Sequence, residues 1–236
     1  NQKTGLLPDL FTQNKFNLSI FTSSEYEIRN IPENEKKINY GSQFDLIKEI
    51  ILNLKKIKSD VNLFVRTHPS QINEFKKFRT LENEKNFVKV IEPKSNISSY
   101  TLGKESNLSL VFHSTIGLEL SSLKSKVIII GPTMYQDFKV AEILFDKKKI
   151  LKRINELIKN RKIKPKVNPN KAFEAMYAFE SYLKTLKFVK KDSFRISKLL
   201  NNNKKYVKLK DNFFYKSVTY LIFFLRKILK LLQIKL

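Results

Sequence analysis

Residues 108–119 read LSLVFHSTIGLE, behind SSYTLGKESN and ahead of LSSLKSKVIIIGP. An apolar run stops at a histidine, a serine and a threonine, and a helical pattern with a glycine in its first turn follows. A run apolar on both faces suits a strand covered on both sides. The same strand-to-polar-cluster transition recurs in FNLSIFTSSE (16–25) and VNLFVRTHPS (61–70).

Working outward, strand and helix periods alternate. Strands are expected over 16–22, 61–66, 87–93, 107–112 and 126–132. Helical patterns fall between them at 44–57, 72–78, a turn holding Tyr100 and Leu102, and 114–124. In FDLIKEIILNLKKI, Phe44, Ile47, Ile50, Ile51 and Leu54 share one stripe. Strands alternating with short helices imply a Rossmann-like α/β domain, a parallel sheet with helices on both faces. The division reads as a linker or fragment start over 1–14, where NQKTGLLPDL is neither signal peptide nor strand. The Rossmann-like domain is expected over 15–145, a helical extension over 146–200 and a basic amphipathic tail over 201–236. Helices are expected at 147–160 and 171–188, and no strand after 146.

Composition narrows the chemistry. With no cysteine and two histidines among 236 residues, a disulfide framework and a thiolate metal site are excluded. A catalytic metal held by the protein alone is not expected, and no cofactor is implied. Residues 1–145 carry 20 Lys/Arg against 16 Asp/Glu, a net of +4, and residues 146–236 carry 26 against 6, a net of +20. The basic third is expected to face something anionic. In 206–236 the longest uncharged run, Ser217 to Leu225, is nine residues, against about 20 needed to cross a bilayer. That stretch suits a helix lying in the headgroup plane, or one packed on the domain with its lysines solvated.

In a parallel α/β sheet, ligands bind beyond the carboxyl ends of the strands. All three polar clusters stand there. Ser114 or Thr115 is placed to cap a helix whose free N–H groups favour an anion. Gly117 lets a ligand or neighbouring strand come close. Glu119, one turn beyond Thr115, can accept from ribose hydroxyls. Pro69 holds His68 extended, so its imidazole can donate to a phosphate or leaving-group oxygen. Arg66, inside its strand, is more suited to a structural pairing. Ser23, Ser24 and Glu25 supply hydroxyls and a carboxylate in a loop expected to face the cleft. Glu92 and Pro93 end the third strand, where a base edge would lie, and Tyr135 is expected to close over the ligand. Each feature alone also fits an ordinary cap or loop; agreement in position is what favours one site.

As an ordered set, FTSSEYE, the helix opening with QF, LFVRTHPS and SSYTLGKESNLSLVFHSTIGLELSSLKSKVIIIGPTMY resemble the C-terminal half of bacterial capsular polysaccharide glycosyltransferases. That family includes the Kdo transferases. The resemblance covers roughly 16–140, with Lys124-Ser125-Lys126 where the family has Gly-Lys-Pro and Ser98 at its usual aspartate. It implies one half of a GT-B fold. His68, Ser114 and Thr115 would then hold the donor phosphate, with His68 catalytic, Glu119 would hold the ribose, and Ser23 and Ser24 would face the cleft. It implies a nucleotide-sugar donor, CMP-Kdo-like, and a glycan or lipid-linked acceptor. It also implies an N-terminal acceptor domain beyond this stretch. A cytoplasmic place at the inner membrane face is expected, with 206–236 on anionic lipid. A CDP-polyol phosphotransferase is the nearest rival. An epimerase would need an acid/base set not found in these residues. Nucleic-acid binding is disfavoured, because the tail's aromatics cluster with aliphatics instead of spacing out for stacking.

Overall fold

The computed structural model describes residues 2–24, 38–57, 60–84, 86–185, 189–192, 195–200 and 206–208. Five strands appear where the apolar runs lie: β1 (Phe16–Phe21), β2 (Val61–Arg66), β3 (Val88–Ile91), β4 (Leu108–Val111) and β5 (Val127–Ile129). A two-residue β6 (Glu142–Ile143) completes the edge. All neighbours are parallel, in the order β3-β2-β1-β4-β5-β6. The chain therefore winds outward from β1 in one direction, then returns to β1's other side and winds the opposite way. This is the doubly wound Rossmann order, with its switch point between β1 and β4.

Helices cover both faces. α1 (Gln43–Lys56) and α2 (Phe75–Arg79) lie on one, and α3 (Ser99–Glu105) and α4 (Ile116–Ser122) on the other. α1 starts where its sequence says it should: Ser42 Oγ accepts from the Asp45 N–H at 3.2 Å, and Asp45 answers the Ser42 N–H at 3.2 Å. Such a reciprocal box satisfies two donors that the first turn would leave open. The stripe Ile47, Ile50, Ile51 and Leu54 meets Leu18, Ile20, Leu63, Val65, Leu108 and Leu110 in one buried cluster. α5 (Lys147–Lys159) joins the same cluster through Ile150, Ile154, Leu157 and Ile158. Its Arg153 forks onto Glu142 of β6 at 2.9 and 3.0 Å.

The opposite face of the sheet mixes polar side chains with buried apolar ones such as Phe64, Val111 and Ile129. Ser19 and Ser109 share a hydrogen bond of 2.8 Å between β1 and β4. Asn17 donates to the Thr12 carbonyl and Asn62 to the Leu10 carbonyl, each at 2.7 Å, while Phe11 stacks on Phe64. The stretch expected as a linker, 1–14, thus packs against the sheet over its described residues. α3 and α4 meet at Gly103, where an added Cβ would lie 2.5 Å from Leu120 Cδ2.

The first compact unit runs to Ala172, so α5 belongs with the parallel sheet although the sequence closed that domain at 145. The second unit begins at Phe173, within α6 (Pro169–Thr185). Beyond α6, β7 (Val189–Asp192), β8 (Arg195–Leu200) and β9 (Tyr206–Lys208) form an antiparallel sheet in the order β7-β8-β9. That overturns the expectation of no strand after 146, while the helices expected at 147–160 and 171–188 stand as α5 and α6 over their described residues. VKKD has one apolar residue in four, and RISKLL has two charges and a serine among its six residues, so neither reads as the apolar run by which the other strands declared themselves. Residues 201–205 and the tail beyond 208 lie outside the described residues. Among the described residues, no helix is long and apolar enough to cross a membrane.

Candidate functional site

Register fixes the rim. Phe21 of β1 sits level with Arg66 of β2 and Val111 of β4. Ile91 and Ile129 extend the same row into β3 and β5. The ladder runs one residue further through the N–H groups of Thr22, Thr67, Phe112 and Ile130, and Pro93, His68, Ser23, His113 and Gly131 follow two positions past the row at the carboxyl edge. The three polar clusters therefore do end on one rim, flanking the switch point.

The loop after β2 is braced by side chains. Thr22 Oγ1, buried at the end of β1, accepts from the His68 N–H at 3.0 Å. The same hydroxyl donates to Gln71 Oε1 at 2.5 Å, and that oxygen also receives the His68 N–H at 3.1 Å. Backbone position is thus set from two sides before Pro69 restricts it further. The His68 ring turns its Nδ1 inward to Ser70, 2.6 Å from Oγ and 3.3 Å from the backbone N–H that donates to it. An N–H can only donate, so Nδ1 carries the lone pair and Nε2 the hydrogen. Burial pushes this imidazole down to about 4. At neutral pH, His68 is an uncharged donor.

Arg66 is not part of the polar display. Its guanidinium is buried and donates to the Glu92 and Ser95 carbonyls and to Ser99 Oγ. Burial lowers it to about 10, against the opposing pull of Glu92. It ties the β3 exit to α3. Glu92 itself is exposed and Pro93 buried.

After β1, Gln43 clamps the chain. Its Oε1 accepts from the Ser23 N–H at 2.8 Å and its Nε2 donates to the Ser23 carbonyl at 2.9 Å. Ser23 is consequently enclosed, 0% exposed, instead of facing the cleft as expected. Its Oγ and the buried Gln71 Nε2 lack partners among the described residues. Buried polar atoms of that kind are uncommon and call for a reason. Ser24 is half-buried, and Glu25 lies outside the described residues.

After β4, backbone groups do the bracing. His113 Nδ1 bonds the Pro132 carbonyl, which can only accept. Tyr135 donates its hydroxyl to the Ser114 carbonyl at 2.6 Å. The expectation that Tyr135 closes over a ligand is therefore corrected: it is 1% exposed and packed beneath the turn. It also explains Gly117. A Cβ there would stand 2.5 Å from the Tyr135 hydroxyl, so the tyrosine fills the space expected for a ligand. Thr115 makes no side-chain cap, and Ser114 Oγ receives the Ile116 N–H only at 3.4 Å. Both hydroxyls are thus weakly committed. Glu119 is buried, with its carboxylate on the Tyr100 phenol. Desolvation first, and Glu119 second, raise both Tyr100 and Tyr135.

The structure brings Ser23, Ser24, His68, Pro69, Ser114 and Thr115 to neighbouring strand ends, while Tyr135, Gly117 and Glu119 form a packed layer behind them. The residue left unassigned in the sequence was His113, quoted within the motif; its signal was its place immediately ahead of the Ser-Thr pair. Among the described residues no three His, Cys, Asp or Glu side chains gather to hold a metal.

Fold and rim together define a Rossmann-like α/β domain with uncharged hydrogen-bonding groups at its switch point. No protein-family model matches the sequence, and no curated protein matches it. Two similar solved structures are a putative UDP-N-acetylglucosamine 2-epimerase from Listeria monocytogenes and the S. aureus MnaA–UDP co-structure. The first is 16% identical with a TM-score of 0.47, covering 79% of this chain and 50% of its own. The second is 15% identical with a TM-score of 0.41, covering 75% and 51%. The chain spans about half the length of each. Likenesses at this level decide nothing about activity or substrate, and the architecture rests on the strand order itself.

Proposed function

We propose that this chain binds a nucleotide-activated sugar as the donor half of a GT-B-type glycosyltransferase of surface polysaccharide assembly, with a CMP-Kdo-like donor favoured. The carrying observation is the register. It ends β2 and β4 level on either side of β1, so the loops carrying His68 and Ser114–Thr115 leave the sheet at one edge beside the switch point, where doubly wound sheets take ligands. Transfer breaks the bond between the anomeric carbon and the phosphate oxygen, whose electron pair leaves with the phosphate, while an acceptor hydroxyl bonds that carbon and gives its proton to a base of the acceptor half. Preorganised donors aimed at that oxygen stabilise the developing charge. His68 Nε2–H serves in that role, and Ser114 and Thr115 can donate to the remaining phosphate oxygens.

The basic stretch 206–236 would hold the protein on the anionic inner face of the cytoplasmic membrane, where a lipid-linked acceptor is presented. Each lysine near such a surface contributes about 1 kcal/mol. Removing 206–236 should release the chain from anionic liposomes while nucleotide binding persists.

A thermal-shift screen with CMP, CDP, UMP, UDP and GDP tests the central reading. One nucleotide should stabilise the protein, and His68→Ala or Ser114→Ala/Thr115→Ala should abolish the shift. No shift with any nucleotide would defeat the proposal. Product analysis then separates sugar transfer from transfer of a polyol phosphate, which would use the same phosphate-binding groups.

A further inference from the structure

We infer that His113 is a second ligand-contacting residue of this rim with hydrogen-bonding polarity opposite to His68, its Nε2 accepting from a hydroxyl of the ligand whose phosphate His68 binds. The ligand class rests on the reading above; the polarity rests on the two ring environments alone.

The argument is one of proton placement. A neutral imidazole has one N–H and one lone pair. At His68, Ser70 presents a backbone N–H to Nδ1 at 3.3 Å, so the hydrogen is on Nε2. At His113, Nδ1 faces the Pro132 carbonyl, so the hydrogen is on Nδ1 and Nε2 keeps its lone pair. Neither Nε2 has a partner among the described residues. Burial lowers both rings below the ordinary histidine range, so both are neutral at physiological pH.

Their spacing follows from the sheet. Both residues lie two positions past the row Arg66–Phe21–Val111, on strands separated by β1. Two strand spacings put the chain exits roughly 10 Å apart. A phosphate oxygen satisfies His68 Nε2–H. The same oxygen before His113 would meet a lone pair and be repelled. A ribose or sugar hydroxyl can donate there. The rim thus fits a phosphorylated polyhydroxyl compound, such as a nucleoside phosphate or sugar nucleotide, which carries a phosphate oxygen and a hydroxyl far enough apart to meet both rings.

Two measurements test this. Long-range proton–nitrogen NMR on 15N-labelled full chain at pH 7 should show the Nε2–H tautomer at His68 and the Nδ1–H tautomer at His113. Calorimetric titration should then compare CMP, UDP and inorganic pyrophosphate. His113→Phe should weaken the tighter-binding nucleotide about tenfold, the effect of roughly one hydrogen bond. It should leave pyrophosphate unchanged, whereas His68→Phe weakens both. His113→Gln, whose Oε1 can stand in for the ring acceptor, should restore most of the nucleotide affinity and guards against misfolding as the cause. An Nε2–H tautomer at His113, unchanged nucleotide affinity in His113→Phe, or equal loss of pyrophosphate overturns the inference. A wild-type chain that binds neither nucleotide defeats the functional reading first. One that binds them but ignores His113 defeats this inference alone.

Discussion

The loops after β2 and β4 each deliver a histidine to one rim, yet they are built by different means. The β2 loop is held by side chains: Thr22 and Gln71 capture the His68 N–H, and Ser70 captures the ring. The β4 loop is held through main-chain carbonyls, with Pro132 taking the His113 ring and Ser114 taking the Tyr135 hydroxyl. The lesson is that the brace chooses the tautomer. An N–H brace leaves a donor facing outward, and a carbonyl brace leaves an acceptor.

The largest expected effect breaks the β4 loop. In Gly117→Ala the new methyl meets the Tyr135 hydroxyl at 2.5 Å. Overpacking of this kind costs about 2–3 kcal/mol, of which alanine's better helix propensity offsets under about 1. Chemical denaturation should show a net loss near ~2 kcal/mol. Adding Tyr135→Phe should restore part of it, because the clashing oxygen is gone. Two independent, additive losses would contradict this account of the glycine.

Next comes the β2 loop. Thr22→Val keeps shape but removes the hydroxyl that receives the His68 N–H, and should cost about 1–2 kcal/mol. His68 should shift in NMR spectra while His113 does not; a shift at both would mean the loops are not independently braced.

Acid should expose both rings. Each histidine's folded pKa lies below its unfolded value, so the unfolded chain takes up protons first. For His68 the contribution is fully present above about 6.5 and is lost as pH falls toward about 4. Because the ring keeps part of its surface in water, about 1–2 kcal/mol is expected from it. His68→Gln should flatten the slope between pH 6.5 and 4, and an unchanged slope would refute a neutral, desolvated His68.

The smallest effect on stability should come from Ser114→Ala/Thr115→Ala. Thr115 caps nothing and the Ser114 bond is long. The unfolding free energy should fall by less than about 0.5 kcal/mol, while nucleotide binding is lost. A large drop in stability would recast these hydroxyls as ordinary caps.

Much of the frame was legible. LSLVF and VNLFVR are buried on both faces, so their apolar runs announced strands directly. Glu142–Ile143 was too short to signal, and VKKD and RISKLL too rich in charge. The site was legible as a set of strand ends, because a polar cluster closing an apolar run is a local pattern. The roles of Tyr135, Gly117 and Ser23 were not. Each depends on a partner far along the chain: Ser114 for the tyrosine, Tyr135 for the glycine, Gln43 for the serine.

By itself, then, the sequence determined the alternation of strand and helix, and which residue types close each strand. Periodicity and capping act over a few residues and are written in neighbours. Tertiary structure alone decided the switch point between β1 and β4, the burial of Tyr135 beneath its turn, and the opposite polarities of His68 and His113. A ring's proton goes where its spatial neighbour demands, and for His113 that neighbour, Pro132, arrives only when β5 pairs beside β4.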